Sequence, residues 1–402
     1  MLFLKNMAGK TKKPPEELLT RAVDEVISKK NLEKKLNSGR KLRVKFGIDP
    51  TSPDIHLGHS VALRKLGAFQ NLGHVAVLVI GDFTALIGDP SGRSESRKLL
   101  SPAEVKTNMK RYLLQAGKII DLKKTEVRYN SEWYGEESPE FLCGIMSGVS
   151  LKQILEREDF KKRMGSDREL SVLEVIYPIL QGYDSVRLKA DVEIGGADQK
   201  LNLLMGRKMQ RKHGQPEQDI LMTLLIEGTD GKRKMSKSFG NCISLEDSAE
   251  NMFGKIMSVS DGLMIKYFTS LTDESTKKIG KIEKEMRAGS VNPRDVKMEL
   301  GEKIVGLYHG AKKAKEARDR FKAVFSKKDT AGLRGISIKR NALLKEVLVK
   351  SGFVRSNSEA VRLIEAGGVE LDGKKIKDRV YGFERGGVLR VGKKIFVKIE
   401  VK

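Results

Sequence analysis

Lys41-Leu42-Arg43-Val44-Lys45-Phe46-Gly47-Ile48 runs straight into Asp49-Pro50-Thr51-Ser52-Pro53. The first eight residues alternate apolar and basic, the period of a strand, and the proline-bearing turn stops it. A helical pattern follows from His56 to about Gln70. His74 to Ile80 is then mostly Val, Leu and Ile, which marks a strand covered on both faces, as in parallel sheets. It ends at Gly81-Asp82-Phe83-Thr84, with Gly88-Asp89-Pro90-Ser91-Gly92-Arg93 close behind. Strand, helix and strand in this order predict βαβ units in an α/β, doubly wound, Rossmann-like parallel sheet. Ligands of such sheets sit outside the carboxyl ends of the strands, where both of these turns fall.

Further out, Val192-Glu193-Ile194-Gly195-Gly196-Ala197-Asp198-Gln199 is another short strand that ends in glycines before a helix. Residues 1 to about 40 read as helical and polar, with Pro14-Pro15 opening a segment rich in Glu, Leu and Lys. Residues 131–175 read as a helical connective insertion. From about 245 to 325 the pattern is helical throughout. Lys312 to Lys345 holds 12 Lys/Arg against 3 Asp/Glu, and Gly332 to Ile338 reads as a linker. Two amphipathic helices, Leu343–Ser351 and Ser356–Ala366, then precede Gly367-Gly368 and short strands. The expected organisation is an N-terminal helical segment (1–40), a catalytic domain (41–240), an α-helical domain (241–331) and a small α+β module (341–402).

A chain of 402 residues is long for one ordinary domain and can bury a real core. Its 39% hydrophobic and 32% charged residues describe a globular protein. The net charge of +24 repels itself unless an anionic partner is near, with nucleic acid the usual one and an anionic membrane surface the rival. No stretch approaches the roughly 18 apolar residues of a membrane span, and the apolar start is too short for a secretory signal. Cys143 and Cys242 have no metal-like spacing. One disulfide is arithmetically possible, but two buried free thiols in a cytoplasmic protein are the expectation.

Two stretches bear the chemistry. In Asp54-Ile55-His56-Leu57-Gly58-His59, the two histidines share one face of a helix start, and Gly58 lets a ligand lie near the backbone. A helix N-terminus favours phosphate, and two imidazoles add donors. A surface pair or two metal ligands are the bland alternatives, though no carboxylate or cysteine stands at metal-ligand spacing. Lys234-Met235-Ser236-Lys237-Ser238 sits between Gly228, Gly231 and Gly240, as a mobile loop would. Its lysines can neutralise a pyrophosphate leaving group, although a solvated basic loop is the plainer reading of the motif alone.

Together the two stretches resemble the signatures of the class I aminoacyl-tRNA synthetases. The first matches the family's "HIGH" pattern with Leu57 as second letter, and the second matches "KMSKS" letter for letter. Tyr177-Pro178-Ile179-Leu180-Gln181-Gly182-Tyr183-Asp184 resembles the amino-acid-binding helix of tyrosyl-tRNA synthetases, although core packing is the commoner fate of tyrosines. The resemblance implies that Asp184 accepts the substrate's phenolic hydroxyl, while Tyr177, Gln181 and Asp89 surround its ammonium group. It further implies that Gly47, Asp49, Thr84 and Gln199 help hold tyrosine. ATP is then expected at Asp49, His56, His59, Gly196, Asp198, Gln199, Lys234, Lys237 and Ser238. Of these, His56, His59, Lys234 and Lys237 carry catalysis. Arg93 and Arg97 fall where the family has a basic loop facing pyrophosphate or the tRNA end. Many bacterial members have a tyrosine four residues before the aspartate of "GFDPT". Here that position is Lys45, which is closer to a second bacterial subgroup. Arg355-Ser356-Asn357-Ser358-Glu359-Ala360, Arg362 to Val369 and Asp372-Gly373-Lys374 resemble a small RNA-binding domain shared with a ribosomal small-subunit protein.

The implied function is a tyrosine–tRNA ligase that takes ATP with Mg²⁺, L-tyrosine and the tRNA for tyrosine. No protein-bound metal is expected. Family resemblance also implies a cytoplasmic homodimer, with Phe141 to Ile154 a candidate interface. A tryptophanyl-tRNA synthetase is the near alternative, but an indole offers no hydroxyl to Asp184. A non-catalytic RNA-binding descendant would have lost the phosphate motifs, and both are intact. A dinucleotide-dependent oxidoreductase would need a G-x-G-x-x-G after its first strand, and none follows.

Overall fold

The computed structural model describes residues 15–91, 100–135, 138–166, 169–325, 335–354, 356–372, 374–392 and 395–402. Contacts divide the chain into two units, Met1–Ala314 and Lys315–Lys402.

The first unit is built on six strands: β1 (Val23–Ile27), β2 (Arg43–Ile48), β3 (Val75–Ile80), β4 (Thr125–Tyr129), β5 (Val192–Gly196) and β6 (Asp219–Thr223). Their order in the sheet is β1-β6-β5-β2-β3-β4. From β6 across to β4 every pairing is parallel. Ala76 to Ile80 of β3 are all 1% exposed or less, which is why that strand carries apolar residues on both faces. The chain leaves β2 towards β3 and β4, then returns to β5 on the other side. A crevice therefore opens between the carboxyl ends of β2 and β5, the switch point where such sheets bind ligands.

The sheet is not wholly parallel. β1 runs antiparallel to β6 and forms one edge. Residues 1–40 read as helical in sequence, but the described part is the helix Pro15–Thr20, then β1, then the helix Lys29–Asn37. Left-handed Ala22 (φ 54°) and Ser28 (φ 65°) turn the chain at either end of β1. Its central Asp24-Glu25 hides the strand from a propensity reading, and charge suits an exposed edge.

The insertion is helical as expected: Ser131–Tyr134, Pro139–Met146, Leu151–Leu155 and Glu158–Met164. Trp133, Ile145, Ile154 and Phe160 from it share a core with Ile179, Leu180 and Tyr183 of the helix Val172–Leu188. Helices Ala249–Met257, Met264–Leu271, Thr276–Arg287 and Pro293–His309 complete this unit, and Ala311–Phe325 leads out of it. The two cysteines are free, but Cys143 is exposed and Cys242 half-buried, so neither is the buried thiol expected.

The second unit has its own five-stranded sheet: β7 (Gly335–Ile338), β8 (Val369–Leu371), β9 (Lys374–Ile376), β10 (Gly387–Val391) and β11 (Ile395–Val401), in the order β7-β11-β10-β8-β9. Helices Leu344–Lys350 and Asn357–Glu365 cover it, and Leu344, Leu348, Ile364, Phe383 and Leu389 form the core. β7 falls in the stretch read as a linker. Its partner β11 lies some sixty residues on, so nothing local signals the strand.

Candidate active site

The helix Leu57–Asn71 begins with an unusual cap. His56, in extended conformation, accepts a hydrogen bond at Nδ1 from the Gly58 N–H (3.2 Å), and His59 Nδ1 accepts from the His56 N–H (3.3 Å). The rings stack with centroids 3.8 Å apart. Because each Nδ1 is an acceptor, each Nε2 carries the proton and is a donor. Burial drives both imidazoles towards the neutral form, helped by the nearby lysines. His56 falls well below its ordinary value and His59 to about 4. The pair therefore offers two neutral N–H donors beside a helix N-terminus. Gly58 is needed for this packing, since a Cβ there would lie 2.9 Å from the His56 ring.

The lysine stretch lies against the same helix start. The Leu57 N–H donates to Ile243 O (2.9 Å) and the Leu245 N–H to Ile55 O (2.9 Å). Asn241 staples the loop, accepting from the Ser236 N–H (2.8 Å) and donating to Lys234 O (3.2 Å). Gly240 (φ 64°) makes the left-handed turn that brings Asn241 back. Lys234 pairs with Asp198 at 2.5 Å, and Lys237 pairs with Asp54 at 3.1 Å.

The helix Val172–Leu188 supplies a third set. Ser171 and Glu174 form its capping box. Tyr177 OH donates to Asp49 Oδ2 (3.0 Å), and Thr84 Oγ1 donates to Asp49 Oδ1 (2.9 Å). Asp184 is buried and accepts from the Trp133 indole N–H (2.9 Å). Burial pushes its carboxyl up to about 6, against the pull of Lys45. Gln181 and Gln199 are joined through Asn202 Nδ2, at 3.0 Å and 2.9 Å from their Oε1 atoms. Gln199 Nε2 in turn donates to Asp89 Oδ2 (2.7 Å).

A cavity of about 1530 Å³ opens at the switch point. It is lined by Gly47, Asp49, His56, His59, Thr84, Asp89, Tyr177, Gln181, Asp184, Gly196, Asp198, Gln199, Lys234 and Ser238, all of which sequence had singled out. Lys237 does not line it, being turned to Asp54. Arg93 and Arg97 lie outside the described residues. Three further residues belong to the site, and two of them, Asn202 and Arg157, had no sequence signal of their own. Asn202 is the hub just described. Arg157 is buried and donates to Asn202 Oδ1 and Ser91 Oγ, both at 3.2 Å. Lys45, noted only as a departure, is buried behind the tyrosine helix. Among the described residues no group of three or more His, Cys, Asp or Glu could hold a metal ion, and no helix is long and apolar enough to cross a membrane.

Chemically, one cavity brings together three carboxylates that can hold an amine and a hydroxyl, and a donor set that can bind phosphate oxygens. Residues 36–326 match the family model described as tRNA synthetases class I (W and Y), and residues 344–384 match the S4 domain. The tyrosine–tRNA ligase of Thermotoga maritima is 46% identical over 391 residues, covering 96% of this chain and 98% of that protein. That of Oleidesulfovibrio alaskensis is 44% identical, covering 96% and 98%. Among solved structures, the Archaeoglobus fulgidus tyrosyl-tRNA synthetase complexed with L-tyrosine superposes with a TM-score of 0.63 at 20% identity, covering 77% of this chain and 100% of that one. A C-terminally truncated mitochondrial tyrosyl-tRNA synthetase from Coccidioides posadasii gives 0.61 at 24%, covering 79% and 94%. At those identities the structures speak to the fold alone. The sequence relatives go further: the chain belongs to the class I tRNA synthetases of the tryptophan and tyrosine branch and, within it, to the tyrosine–tRNA ligases.

Proposed function

We propose that this chain activates L-tyrosine with ATP and transfers it to the 3′ end of the tRNA for tyrosine. In the first step a carboxylate oxygen of tyrosine attacks the α-phosphorus of ATP, and the bond to the bridging oxygen of pyrophosphate breaks. In the second, a terminal ribose hydroxyl of tRNA attacks the activated carbonyl and AMP leaves. The substrate carboxylate is already a nucleophile, so positioning and charge stabilisation do the work. His56 and His59 donate through Nε2 to phosphate oxygens. Lys234 and Lys237 exchange their aspartates for the pyrophosphate as its charge grows. Mg²⁺ arrives on the nucleotide and neutralises part of the same charge.

Asp198 and Gln199, with Asp49, Gly196 and Ser238, hold the ribose and α-phosphate side. Asp184 accepts the phenolic hydroxyl, and Tyr177, Gln181, Asp89 and Gln199 surround the ammonium, with Gly47 and Thr84 completing the pocket. Arg93 and Arg97 face the pyrophosphate or the tRNA end. Residues 241–331 form the helical tRNA-binding domain, and 341–402 a basic arm for folded RNA. The enzyme is a cytoplasmic homodimer. Exposed Leu151 within the Phe141–Ile154 stretch, together with exposed Val172 and Leu173, supports that interface.

The observation that carries this reading is the meeting of Asp184 and the neutral imidazole pair in one cavity. The test is exchange of labelled pyrophosphate into ATP. Exchange with tyrosine is expected, and none with tryptophan. Exchange with tryptophan instead, or none at all, would overturn it.

A further inference from the structure

Lys45 is completely buried, and its ammonium group is fully used. Nζ lies 2.8 Å from Glu193 Oε1 and donates to Ser185 Oγ (2.9 Å) and to the Gln181 carbonyl (3.0 Å). Three donors meet three acceptors. Lys45 and Glu193 are direct partners across β2 and β5. The second Glu193 oxygen accepts from Ser185 Oγ (3.0 Å) and from Gln218 Nε2. The neighbouring helix Lys200–Lys212 seals this pair from water: a Cβ on Gly206 would lie 2.4 Å from Gln218 Nε2 and 3.0 Å from both Glu193 Oε2 and Ser185 Oγ.

A buried ion pair is a weak stability device, because desolvating both charges offsets their attraction. Its placement suggests another use. Gln181 and Ser185 are one helical turn apart, and Asp184 belongs to that turn. Lys45 is also two residues deeper than Gly47 on the same face of β2, so it starts where the cavity ends.

We propose that Lys45 is a specificity-determining positioning residue: from behind the pocket it clamps the turn that carries Asp184 and supplies the positive charge that favours Asp184 as a carboxylate acceptor for the phenolic hydroxyl. This rests on the reading that Asp184 meets that hydroxyl. Many bacterial members have a tyrosine at this position. Here the residue acts through its neighbour. The groups facing Asp184 are Lys45 from β2, Glu193 from β5, Trp133 and Tyr134 from the Ser131–Tyr134 helix, Asn130, and Tyr177 on its own helix. Burial opposes the carboxylate; Lys45 favours it most, Trp133 and Asn130 support it, and Glu193 works against it. Lys45 and Glu193 thus pull Asp184 in opposite directions, which lets the two variants be told apart by the sign of their effect.

The experiment measures tyrosine-dependent pyrophosphate exchange from pH 5 to 8.5, with tyrosine and phenylalanine, in the full-length enzyme and in Lys45→Met, Lys45→Arg and Glu193→Gln. For the unaltered enzyme kcat/KM for tyrosine falls on an acid limb. Lys45→Met is expected to move that limb up by about one pH unit and to reduce the preference for tyrosine over phenylalanine by about tenfold or more. Glu193→Gln moves the limb down, Lys45→Arg restores much of the preference, and KM for ATP stays within twofold throughout. A folded Lys45→Met enzyme with unchanged limb and selectivity overturns the inference. Limbs that move the same way in Lys45→Met and Glu193→Gln also overturn it. If Lys45→Met does not fold, the direction of the Glu193→Gln shift decides alone. No tyrosine exchange in the unaltered enzyme would instead overturn the functional reading beneath it.

Discussion

Lys237 and Asp54 form an ion pair of 3.1 Å that ties the lysine loop to the residue opening the histidine stretch. Asp54 also holds Arg111 at 2.7 Å. On the proposed roles of these lysines, the nucleotide would compete with a carboxylate for each: with Asp54 for Lys237 and with Asp198 for Lys234. Both side chains of the Lys237 pair are partly exposed, so the pair is worth no more than about 1 kcal/mol. Asp54→Asn is expected to leave thermal stability nearly unchanged and to lower KM for ATP by about two- to fivefold. Lys237→Ala should reduce kcat for adenylate formation by on the order of a hundredfold. Steady-state exchange kinetics with varied ATP checks both. A rise in KM for Asp54→Asn would show that Asp54 positions Lys237 rather than holding it back.

The imidazole cap has a pH signature. His59 titrates at about 4 when folded and near 6.5 when unfolded, so between those values the unfolded chain binds more protons. The stability it confers is whole above about pH 6.5 and is lost as pH falls towards 4. Asp184 runs the other way: folded at about 6 against 3.8, it loses stability as pH rises between them. Comparing the enzyme with His59→Gln cancels the Asp184 part. From pH 7.5 to 5 the unaltered enzyme is expected to lose about 2 kcal/mol more than His59→Gln. Urea unfolding at the two pH values measures it. The exchange reaction should show no inflection from these histidines near pH 6.5.

Asn202 joins the two glutamines and Arg157 by hydrogen bonds, with Asp89 at the end of the chain through Gln199. Asn202→Ala leaves buried polar groups short of partners, a penalty of about 1–3 kcal/mol. KM for tyrosine is expected to rise about tenfold or more, with KM for ATP much less affected. Equal effects on both would locate Asn202 in general packing instead.

Residues 341–402 lie within a unit with its own sheet and core. Removing them should leave tyrosine-dependent exchange within twofold and depress tRNA charging by about a hundredfold at moderate salt. The residual charging should depend less steeply on salt, since phosphate contacts set that slope. Normal charging by the folded truncation would mean that this unit does not grip tRNA.

The residues legible in sequence were those whose chemistry is local. His56 and His59 share a helix face by spacing alone, and Tyr177, Gln181 and Asp184 share another. The strands β2 and β3 announced themselves by alternation and by a buried apolar run. What stayed hidden depends on partners far along the chain. Lys45 reads in sequence as a departure from a family pattern, and its role stays hidden until Glu193 is seen across the sheet from it. Asn202 is a polar residue on a basic helix until Gln181 turns towards it. Which nitrogen of each imidazole carries the proton also depends on backbone geometry that no motif spells out.

The edge strand bears on how the molecule is made. Val23 of β1 pairs with Thr223 of β6, 200 positions later. A growing chain therefore exposes its first strand long before a mate exists, and every intervening strand can take its place before β1 docks. Closing so long a loop is slow, and an unpaired strand is open to wrong neighbours in the meantime. Asp24 and Glu25, which obscure β1 as a strand, also make it a poor template for another chain while it waits.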